Sequence, residues 1–151
     1  MSRFSAEAKR VGYAVAIGVN VLLLVVVNSI LGWGWFPWLT PEFGDVLPVL
    51  NLALVFNIVM SLVFMAYDEP WLKAVTQIVT NVLAIVVLAR TWQVYPFDFS
   101  GYDFPVDIAA FDLDWDLVTH FILGLAIFGT TVAVVMEIVK LVRPDSEPDD
   151  A

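Results

Sequence analysis

Apolar residues are concentrated in four stretches, each long enough to cross a lipid bilayer. The stretches cover residues 11–31, 46–67, 72–89 and 117–136. An α-helix rises about 1.5 Å per residue, so about 20 apolar residues span a hydrocarbon core of about 30 Å. The pattern predicts an all-α membrane protein with four transmembrane helices in an up-and-down antiparallel bundle. This bundle is expected to form a single domain over residues 1–143, followed by a disordered acidic tail over residues 144–151.

Composition supports a membrane protein and narrows the classes of function. Hydrophobic residues make up 60% of the chain and charged residues 15%, and the charges lie almost entirely between the stretches. This is expected because bilayer insertion penalises charge. The net charge of −9 argues against a nucleic-acid partner, whose phosphates need a basic surface. The absence of cysteine excludes disulfides, thiolate metal sites and cysteine nucleophiles. Membrane lipids are therefore the first expected partners.

The lysines and arginines predict how the helices are oriented. Six of the seven lie before the first stretch, at the second connection, or after the fourth stretch: Arg3, Lys9, Arg10, Lys73, Lys140 and Arg143. Only Arg90 lies elsewhere. The positive-inside rule therefore predicts a multi-pass cell-membrane protein with both termini in the cytoplasm and the two longer loops outside. The first stretch is too long for a signal peptide and is not followed by a small-x-small cleavage site, so it is expected to remain as a helix.

The side predicted to face outward is rich in tryptophan and in acidic residues. Five of the six tryptophans lie there, near the ends of the stretches: Trp33, Trp35, Trp38, Trp92 and Trp115. Amphipathic rings favour the headgroup layer, so these residues are expected to anchor the outer interface. The acidic residues of this side are Glu42, Asp45, Asp98, Asp103, Asp107, Asp112, Asp114 and Asp116. These residues indicate a surface that attracts either cations or a basic partner. The alternative is a loop that is simply well solvated.

Residues 111–117 alternate between apolar and acidic side chains. This period of two predicts an extended segment with Asp112, Asp114 and Asp116 facing water. Asp116 is expected to cap the N-terminus of the fourth helix. The D-x-D-x-D spacing resembles the start of a calcium loop, but the glycine and the distal glutamate of such a loop are missing. Calcium is the alternative here, and otherwise no metal or cofactor is expected.

Two segments that follow the first and third stretches are similar in order. Residues 31–45 read LGWGWFPWLTPEFGD, and residues 88–103 read LARTWQVYPFDFSGYD. Each contains a tryptophan, then an aromatic–Pro–aromatic triplet, then a glycine near an aspartate. Either a common origin of the two helical hairpins or independent selection for interfacial anchors explains this similarity.

Polar residues within the stretches are the candidates for function, because an unpaired polar group in hydrocarbon is costly. Small and polar residues recur every four positions and form one stripe on each helix. The stripes are Gly12, Ala16 and Asn20; Ala53, Asn57 and Ser61; Lys73, Gln77 and Asn81; and Gly129, Ala133 and Glu137. Such stripes are typical of packing between helices. The alternative is a permeation path lined by the amides of the first three stripes.

The third and fourth helices are expected to be antiparallel, so residues that face each other should have numbers with a constant sum. Three pairs share the same sum: Lys73 with Glu137, Gln77 with Ala133, and Asn81 with Gly129. This register predicts an ion pair between Lys73 and Glu137 near the cytoplasmic boundary.

His120 is the single histidine of the chain. A haem or metal site needs further strong ligands, which no second histidine or cysteine supplies. His120 lies four residues after Asp116, so a hydrogen bond or ion pair between the two is expected. A proton relay is the alternative, because ionisable groups within membranes are often functional.

No set of residues forms a catalytic signature, and a non-enzymatic function is therefore expected. The preferred hypothesis is an accessory or interaction subunit of a membrane complex, with another membrane protein or a second copy as its partner. The alternative is a small oligomeric transporter or channel for a cation or an apolar solute. Four-helix bundles support many functions, so the architecture itself does not choose between them.

Overall fold

The computed structural model of the chain describes residues 3–100 and 114–143. It contains four long helices: α1 (Arg3–Trp33), α2 (Leu47–Ala66), α3 (Pro70–Val94) and α4 (Trp115–Val142). A short 3-10 helix, Pro41–Asp45, precedes α2. The described ranges contain no strand, so the predicted all-α class with four helices is confirmed. All four helices are long and apolar enough to cross a membrane.

The helices begin and end at residues that suit those positions. A proline lies at the start of α2 and of α3. Backbone N–H groups in the first turn of a helix have no acceptor within the helix, so proline, which has no N–H, loses no hydrogen bond there. The C-terminus of α3 is closed by Tyr95, which has a left-handed backbone and donates its N–H to the Thr91 carbonyl oxygen at 2.8 Å. Pro96 follows and cannot continue the helix.

The N-terminal cap of α4 differs from the prediction. Asp114, not Asp116, is the capping residue, and its carboxylate accepts hydrogen bonds from the backbone N–H groups of Asp116 and Leu117, both at 3.1 Å. Asp116 lies within the first turn instead. The helix therefore begins earlier than the apolar stretch does, because the first turn of a helix also accepts polar and acidic residues.

Consecutive helices are antiparallel and pack in chain order. α1 packs on α2, α2 on α3, and α3 on α4, while α1 and α4 are not a packed pair in the described part of the chain. One end of the described structure contains the C-terminus of α1, the start of α2, the end of α3 and the start of α4. This end is called the aromatic end. The opposite end, which contains the turn between α2 and α3, is called the Asp68 end.

The two loops at the aromatic end pair with each other. Leu39 and Phe97 form an isolated antiparallel bridge. The Thr40 N–H donates to the Pro96 carbonyl oxygen at 3.0 Å, and the Asp98 N–H donates to the Trp38 carbonyl oxygen at 2.8 Å. The two segments with similar aromatic–Pro–aromatic sequences therefore lie side by side and join the α1–α2 hairpin to the α3–α4 hairpin. A common origin of the hairpins stays a prediction.

Few side chains are buried within the described residues. The buried apolar residues are Val46, Leu54, Leu123 and Pro96, and the buried polar ones are Ser61 and Thr76. Large apolar side chains are instead exposed along the helices, and Phe121 and Phe128 on α4 are 70% and 67% exposed. A water-soluble chain of this length buries a much larger core. The outward faces of these helices therefore need lipid or another protein around them.

Candidate functional site

Side chains from the end of α3 and the start of α4 surround His120 at the aromatic end. Tyr95 stacks on the imidazole, with ring centroids 4.1 Å apart and planes inclined by 21°. Trp92 meets the same ring edge-on, with centroids 5.1 Å apart. The Tyr95 hydroxyl donates a hydrogen bond to the Asp116 carboxylate at 2.8 Å. Trp92, Tyr95, Asp116 and His120 are called the histidine cluster.

The hydrogen bond of His120 determines which ring nitrogen carries the proton. Nδ1 lies 2.7 Å from the backbone carbonyl oxygen of Asp116. A carbonyl oxygen only accepts, so the Nδ1–H group of His120 is the donor in this hydrogen bond. The expected hydrogen bond between His120 and Asp116 is therefore formed. It uses the Asp116 backbone, because the carboxylate of this residue accepts from Tyr95.

The surroundings of Tyr95 keep its hydroxyl protonated. Burial of the phenol, followed by its hydrogen bond to Asp116, raises the pKa of Tyr95 to about 12. Ionisation would place a second negative charge beside the Asp116 carboxylate and would remove the donated hydrogen bond. Tyr95 is therefore a hydrogen-bond donor throughout the neutral pH range.

Two open grooves lie on either side of Trp92 between α3 and α4. The first, called the His120 groove, has a volume of about 380 Å³ and is lined by Trp92, Leu117, His120, Phe121, Gly124 and Leu125. The second has a volume of about 330 Å³ and is lined by Ala89, Trp92, Gln93, Gly124 and Ile127. Trp92 lies against α4 at Gly124, where a Cβ would be in ordinary contact with Trp92 Cζ3 at 3.6 Å. Apart from the imidazole, the lining of the His120 groove is almost entirely apolar.

Asp68 connects α1 to α3 at the opposite end. Its carboxylate accepts a hydrogen bond from the Tyr13 hydroxyl at 2.6 Å and pairs with the Lys9 ammonium at 3.1 Å. It also forms an ion pair with Lys73. Hydrogen bonds from Lys73, Tyr13 and Lys9, in that order of importance, hold the pKa of Asp68 well below its usual range. Asp68 was not among the predicted site residues, because Tyr13 and Lys9 are 55 and 59 residues away from it in sequence.

The predicted ion pair between Lys73 and Glu137 is not formed. Lys73 pairs with Asp68, whereas Glu137 pairs with Lys140 of its own helix at 2.9 Å. Gly129 does not face α3 either, since a Cβ built there has nothing within 4 Å. Spacing along a helix shows which residues share a face, but the rotation of that face toward a neighbour depends on packing. The ion pair between Lys73 and Glu137 that was inferred from the stripes is therefore wrong.

Polar side chains meet between α2 and α3. The Thr80 hydroxyl donates to the Asn57 amide oxygen at 3.0 Å. One turn closer to the Asp68 end, Ser61 and Thr76 are both buried, and the Thr76 hydroxyl has no partner in the described part of the chain. The face of α3 that meets α2 thus contains Thr76 and Thr80. Each of these residues comes one position before a residue of the predicted stripe, Gln77 or Asn81.

The other predicted amides bond within their own helices. Asn20 donates to the Ala16 carbonyl oxygen at 2.8 Å, and Gln77 donates to the Asn81 side chain at 3.3 Å. Neither the bond of Asn20 to Ala16 nor the bond of Asn57 to Thr80 joins Asn20 to Asn57.

A pair that sequence reasoning missed joins α1 to α2. The side chains of Asn28 and Asn51 exchange two hydrogen bonds, at 2.7 and 3.0 Å. The signal that identifies this pair is two amides near the same end of consecutive antiparallel apolar helices, where each amide needs a partner.

The predicted acidic patch is described only in part. Asp114 caps α4 and Asp116 accepts from Tyr95, whereas Asp112 and the tail 144–151 lie outside the described residues. Within residues 3–100 and 114–143, no group of three or more His, Asp or Glu side chains is arranged to hold a metal ion. The calcium alternative stays a prediction, because the complete motif is not described.

Comparisons with known protein families, with curated proteins and with solved structures find no match. The function is therefore inferred from the contacts and surfaces of this chain alone.

Proposed function

We propose that this protein is a multi-pass protein of the cell membrane and acts as a non-enzymatic accessory or interaction subunit of a larger membrane complex. One observation carries the proposal: α2 and α3 each pack on two helices, whereas α1 and α4 each pack on only one in the described part of the chain. A closed four-helix bundle gives every helix two neighbours. Here α1 and α4 each have a free side for a helix of another subunit.

The free side of α4 has the spacing of a helix-packing surface. The exposed apolar residues of α4 include one row along the helix, which consists of Phe121, Leu125, Phe128, Val132, Val135, Val139 and Val142; Leu117, Ile122, Met136, Ile138 and Leu141 are exposed as well. Successive members of this row are separated alternately by four and three residues, which is the spacing of helices that pack on one another over several turns. Gly129 lies on the same side with open space beside it. Small residues of this kind allow the backbone of a second helix to approach closely.

The free side of α1 has similar properties. Val11, Val15 and Leu22 are exposed, and Gly12 and Gly18 have nothing within 4 Å of a Cβ position. We propose that one or both of these helix faces, called the α1 face and the α4 face, contact the partner. The partner is another membrane protein or a second copy of this chain.

The proposed orientation places the Asp68 end in the cytoplasm and the aromatic end outside. Lys9, Lys73 and Lys140 lie toward the Asp68 end, in agreement with the positive-inside rule. Trp33, Trp92 and Trp115 lie at the aromatic end, which agrees with the preference of tryptophan for the headgroup layer. Both termini are then cytoplasmic.

Transport of a cation or an apolar solute is the alternative function, and no specific contact favours it. The amides expected to line a path already have hydrogen-bond partners: Asn20 bonds to Ala16, Asn57 to Thr80, and Gln77 to Asn81. The subunit hypothesis needs no such path, since it uses only the outer faces of the helices.

Native mass spectrometry of the protein extracted in mild detergent tests the proposal. We expect a complex heavier than the 16.8 kDa chain. Gly18→Leu and Gly129→Leu add a side chain on the α1 and α4 faces where a Cβ has nothing of the described chain within 4 Å, so at least one of them should release the partner. Val59→Leu, at an exposed position of α2, is the matched control and should leave the complex intact.

Detection of the free chain alone, before and after substitution, contradicts the subunit hypothesis. A homo-oligomer that conducts ions in proteoliposomes supports transport instead.

A further inference from the structure

We propose that four side chains at the Asp68 end bind the headgroup of one acidic phospholipid. These side chains, called the Asp68 cluster, are Lys9 and Tyr13 of α1, Asp68 of the turn after α2, and Lys73 of α3. The ligand class follows from the surplus of positive charge in the cluster, the exposure of its ammonium groups and its depth in the membrane. The proposal goes beyond the subunit function and does not depend on it.

The cluster brings two cations to one anion. The ammonium groups of Lys9 and Lys73 both pair with the Asp68 carboxylate, and the distance from Lys9 is 3.1 Å. The Tyr13 hydroxyl donates a hydrogen bond to the same carboxylate at 2.6 Å and, as a donor, adds no charge. Because one carboxylate neutralises only one ammonium group, the cluster has one positive charge in surplus.

The nearby charged residues leave this surplus in place. Arg10 of α1 and Glu69 of the turn are the neighbours of the cluster in sequence, and they contribute opposite charges. Glu7 precedes Lys9 by two residues, and a rotation of about 100° for each residue places it on the opposite side of α1. The Asp68 cluster is therefore a locally basic site between α1 and α3.

Both ammonium groups are open to a ligand. The side chains of Lys9 and Lys73 are 46% and 39% exposed. An ammonium group has three N–H donors, and the bond to Asp68 uses one, so donors are left on the exposed side of each lysine. Because Asp68 already holds the two groups near each other, an anion with several acceptor oxygens, such as a phosphate, can accept from both at little cost in ordering.

The cluster lies at the depth of lipid phosphates. Lys9 comes just before the first apolar stretch, and Asp68 comes between the second and the third. Tyr67 and Trp71, on either side of the turn, are 51% and 56% exposed, and aromatic rings of this kind favour the headgroup layer. Basic sites between transmembrane helices on the cytoplasmic side bind acidic headgroups, which agrees with the proposed orientation of the Asp68 end.

The site is separate from the α1 face. The ring of Tyr13 packs on Phe64 of α2 with centroids 5.6 Å apart, so this side of α1 is turned toward its own chain. Val11 and Val15 of the α1 face each come two positions after a residue of the cluster, and therefore lie on the opposite side of the helix. A subunit bound to the α1 face leaves the Asp68 cluster accessible to lipid.

Native mass spectrometry of the protein in mild detergent, titrated with defined lipids, tests the proposal. Dioleoyl phosphatidylglycerol is anionic, whereas dioleoyl phosphatidylcholine has the same tails and a phosphate but is zwitterionic. We expect one molecule of phosphatidylglycerol to bind about fivefold more tightly than phosphatidylcholine, which is the effect of one surplus positive charge beside an anionic headgroup. Inorganic phosphate at the same concentration should give no adduct, because it has no tails to pack on the helices.

Four substitutions separate the cluster from general surface charge. Lys9→Gln and Lys73→Gln each remove the surplus charge and should abolish the preference for phosphatidylglycerol. Lys140→Gln is the matched control, because it changes the net charge equally but removes a lysine that is paired with Glu137 alone, and the preference should be retained. Asp68→Asn raises the surplus to two charges and should strengthen phosphatidylglycerol binding by about a further fivefold. A misfolded variant cannot give this increase.

Four results would overturn the proposal. The first is equal affinity of the natural chain for the two lipids. The second is a loss of preference in Lys140→Gln as large as in Lys9→Gln, which shows an effect of overall charge. The third is unchanged or weaker phosphatidylglycerol binding by Asp68→Asn, which shows that the cluster serves only to hold the helices. The fourth is an adduct of inorganic phosphate at the same half-saturation, which shows an ion site without lipid.

Discussion

The hydroxyl of Tyr95 donates a hydrogen bond to the carboxylate of Asp116 at 2.8 Å and so fastens the end of α3 to the first turn of α4. Tyr95 adopts a left-handed backbone with φ of 44°, which costs a residue with a bulky side chain about 1–3 kcal/mol. Its contacts with Asp116 and His120 offset that strain. One residue thus ends a helix, joins it to the next and covers one face of the imidazole.

Tyr95→Phe should lower the free energy of unfolding by about 1–2 kcal/mol, because it removes a hydrogen bond to a charged acceptor while keeping the ring. Denaturant or thermal unfolding in detergent measures this change. Tyr67→Phe is the matched control, since Tyr67 is 51% exposed, and it should have little effect. Equal losses for the two variants would show that the bond to Asp116 contributes nothing.

The hydrogen bond between Tyr95 and Asp116 also predicts a loss of stability at alkaline pH. The pKa of Tyr95 is raised from 10.0 to about 12, so the folded state holds this proton more tightly than the unfolded state does. The contribution of Tyr95 is therefore complete below pH 10 and is lost as the pH rises toward 12. Thermal unfolding across this range should show a steeper decline for the natural chain than for Tyr95→Phe. Parallel curves would contradict the assignment.

At the opposite end, Asp68 and Lys73 should be energetically coupled. A double-mutant cycle with Asp68→Asn and Lys73→Met is expected to be non-additive, since each single change removes the same ion pair. The corresponding cycle with Lys73→Met and Glu137→Gln should be additive, because Glu137 pairs with Lys140. Both residues of the first pair are accessible to solvent, so the effects should be smaller than that of Tyr95→Phe. Coupling only in the second cycle would reverse this assignment.

The pKa of Asp68 gives a pH dependence of the opposite sign. Its pKa is lowered in the folded state, so its stabilising contribution is present above the usual value of 3.8 and is lost as the pH falls below it. Asp68→Asn should therefore reduce the loss of stability in acid. If Asp68→Asn loses as much stability at acidic pH as the natural chain does, the contacts of Asp68 with Lys9 and Tyr13 are contradicted.

The reciprocal amide pair between α1 and α2 should also be coupled. Asn28→Leu and Asn51→Leu each leave one amide without its partner, so the double mutant should be more stable than additivity predicts by about 0.5–2 kcal/mol. Asn20→Leu combined with Asn51→Leu is the control, since Asn20 bonds to its own helix, and it should be additive. An additive result in both cycles would show that the Asn28–Asn51 contact does not stabilise the hairpin.

Orientation is testable because the chain contains no cysteine. Ser100→Cys, at the aromatic end, should react with a membrane-impermeant thiol reagent added outside intact cells. Ser146→Cys, beyond α4, should react only after the membrane is opened. The reverse pattern would overturn the proposed orientation of both termini.

Hydropathy predicts the number and approximate position of the helices because the length of a membrane span is set by the bilayer. It does not predict their full extent. α1 begins at Arg3 rather than residue 11, and α4 continues to Val142 rather than residue 136. Charged and polar residues at these ends are compatible with helix outside the hydrocarbon core, so a helix need not stop where the apolar stretch does.

The contacts between helices were harder to predict than the helices. The stripe of Lys73, Gln77 and Asn81 is a property of one helix, but the partner of Lys73 depends on how α3 is rotated and on where the preceding turn places Asp68. Lys9 and Asp68 are 59 residues apart, and no local pattern links them. By contrast, the contact between Asp116 and His120 was predictable, since residues four apart on a helix are neighbours.

Photocrosslinking in intact membranes tests the central claim, that a face of an edge helix contacts another protein subunit, most directly. A benzophenone amino acid is placed at Phe128 on the α4 face, at Val15 on the α1 face, or at Val59 on α2 as the control; all three positions are exposed. The subunit hypothesis predicts a discrete protein adduct from Phe128 or Val15 and none from Val59. Lipid adducts alone at all three positions, with no protein adduct from either edge helix, would contradict it.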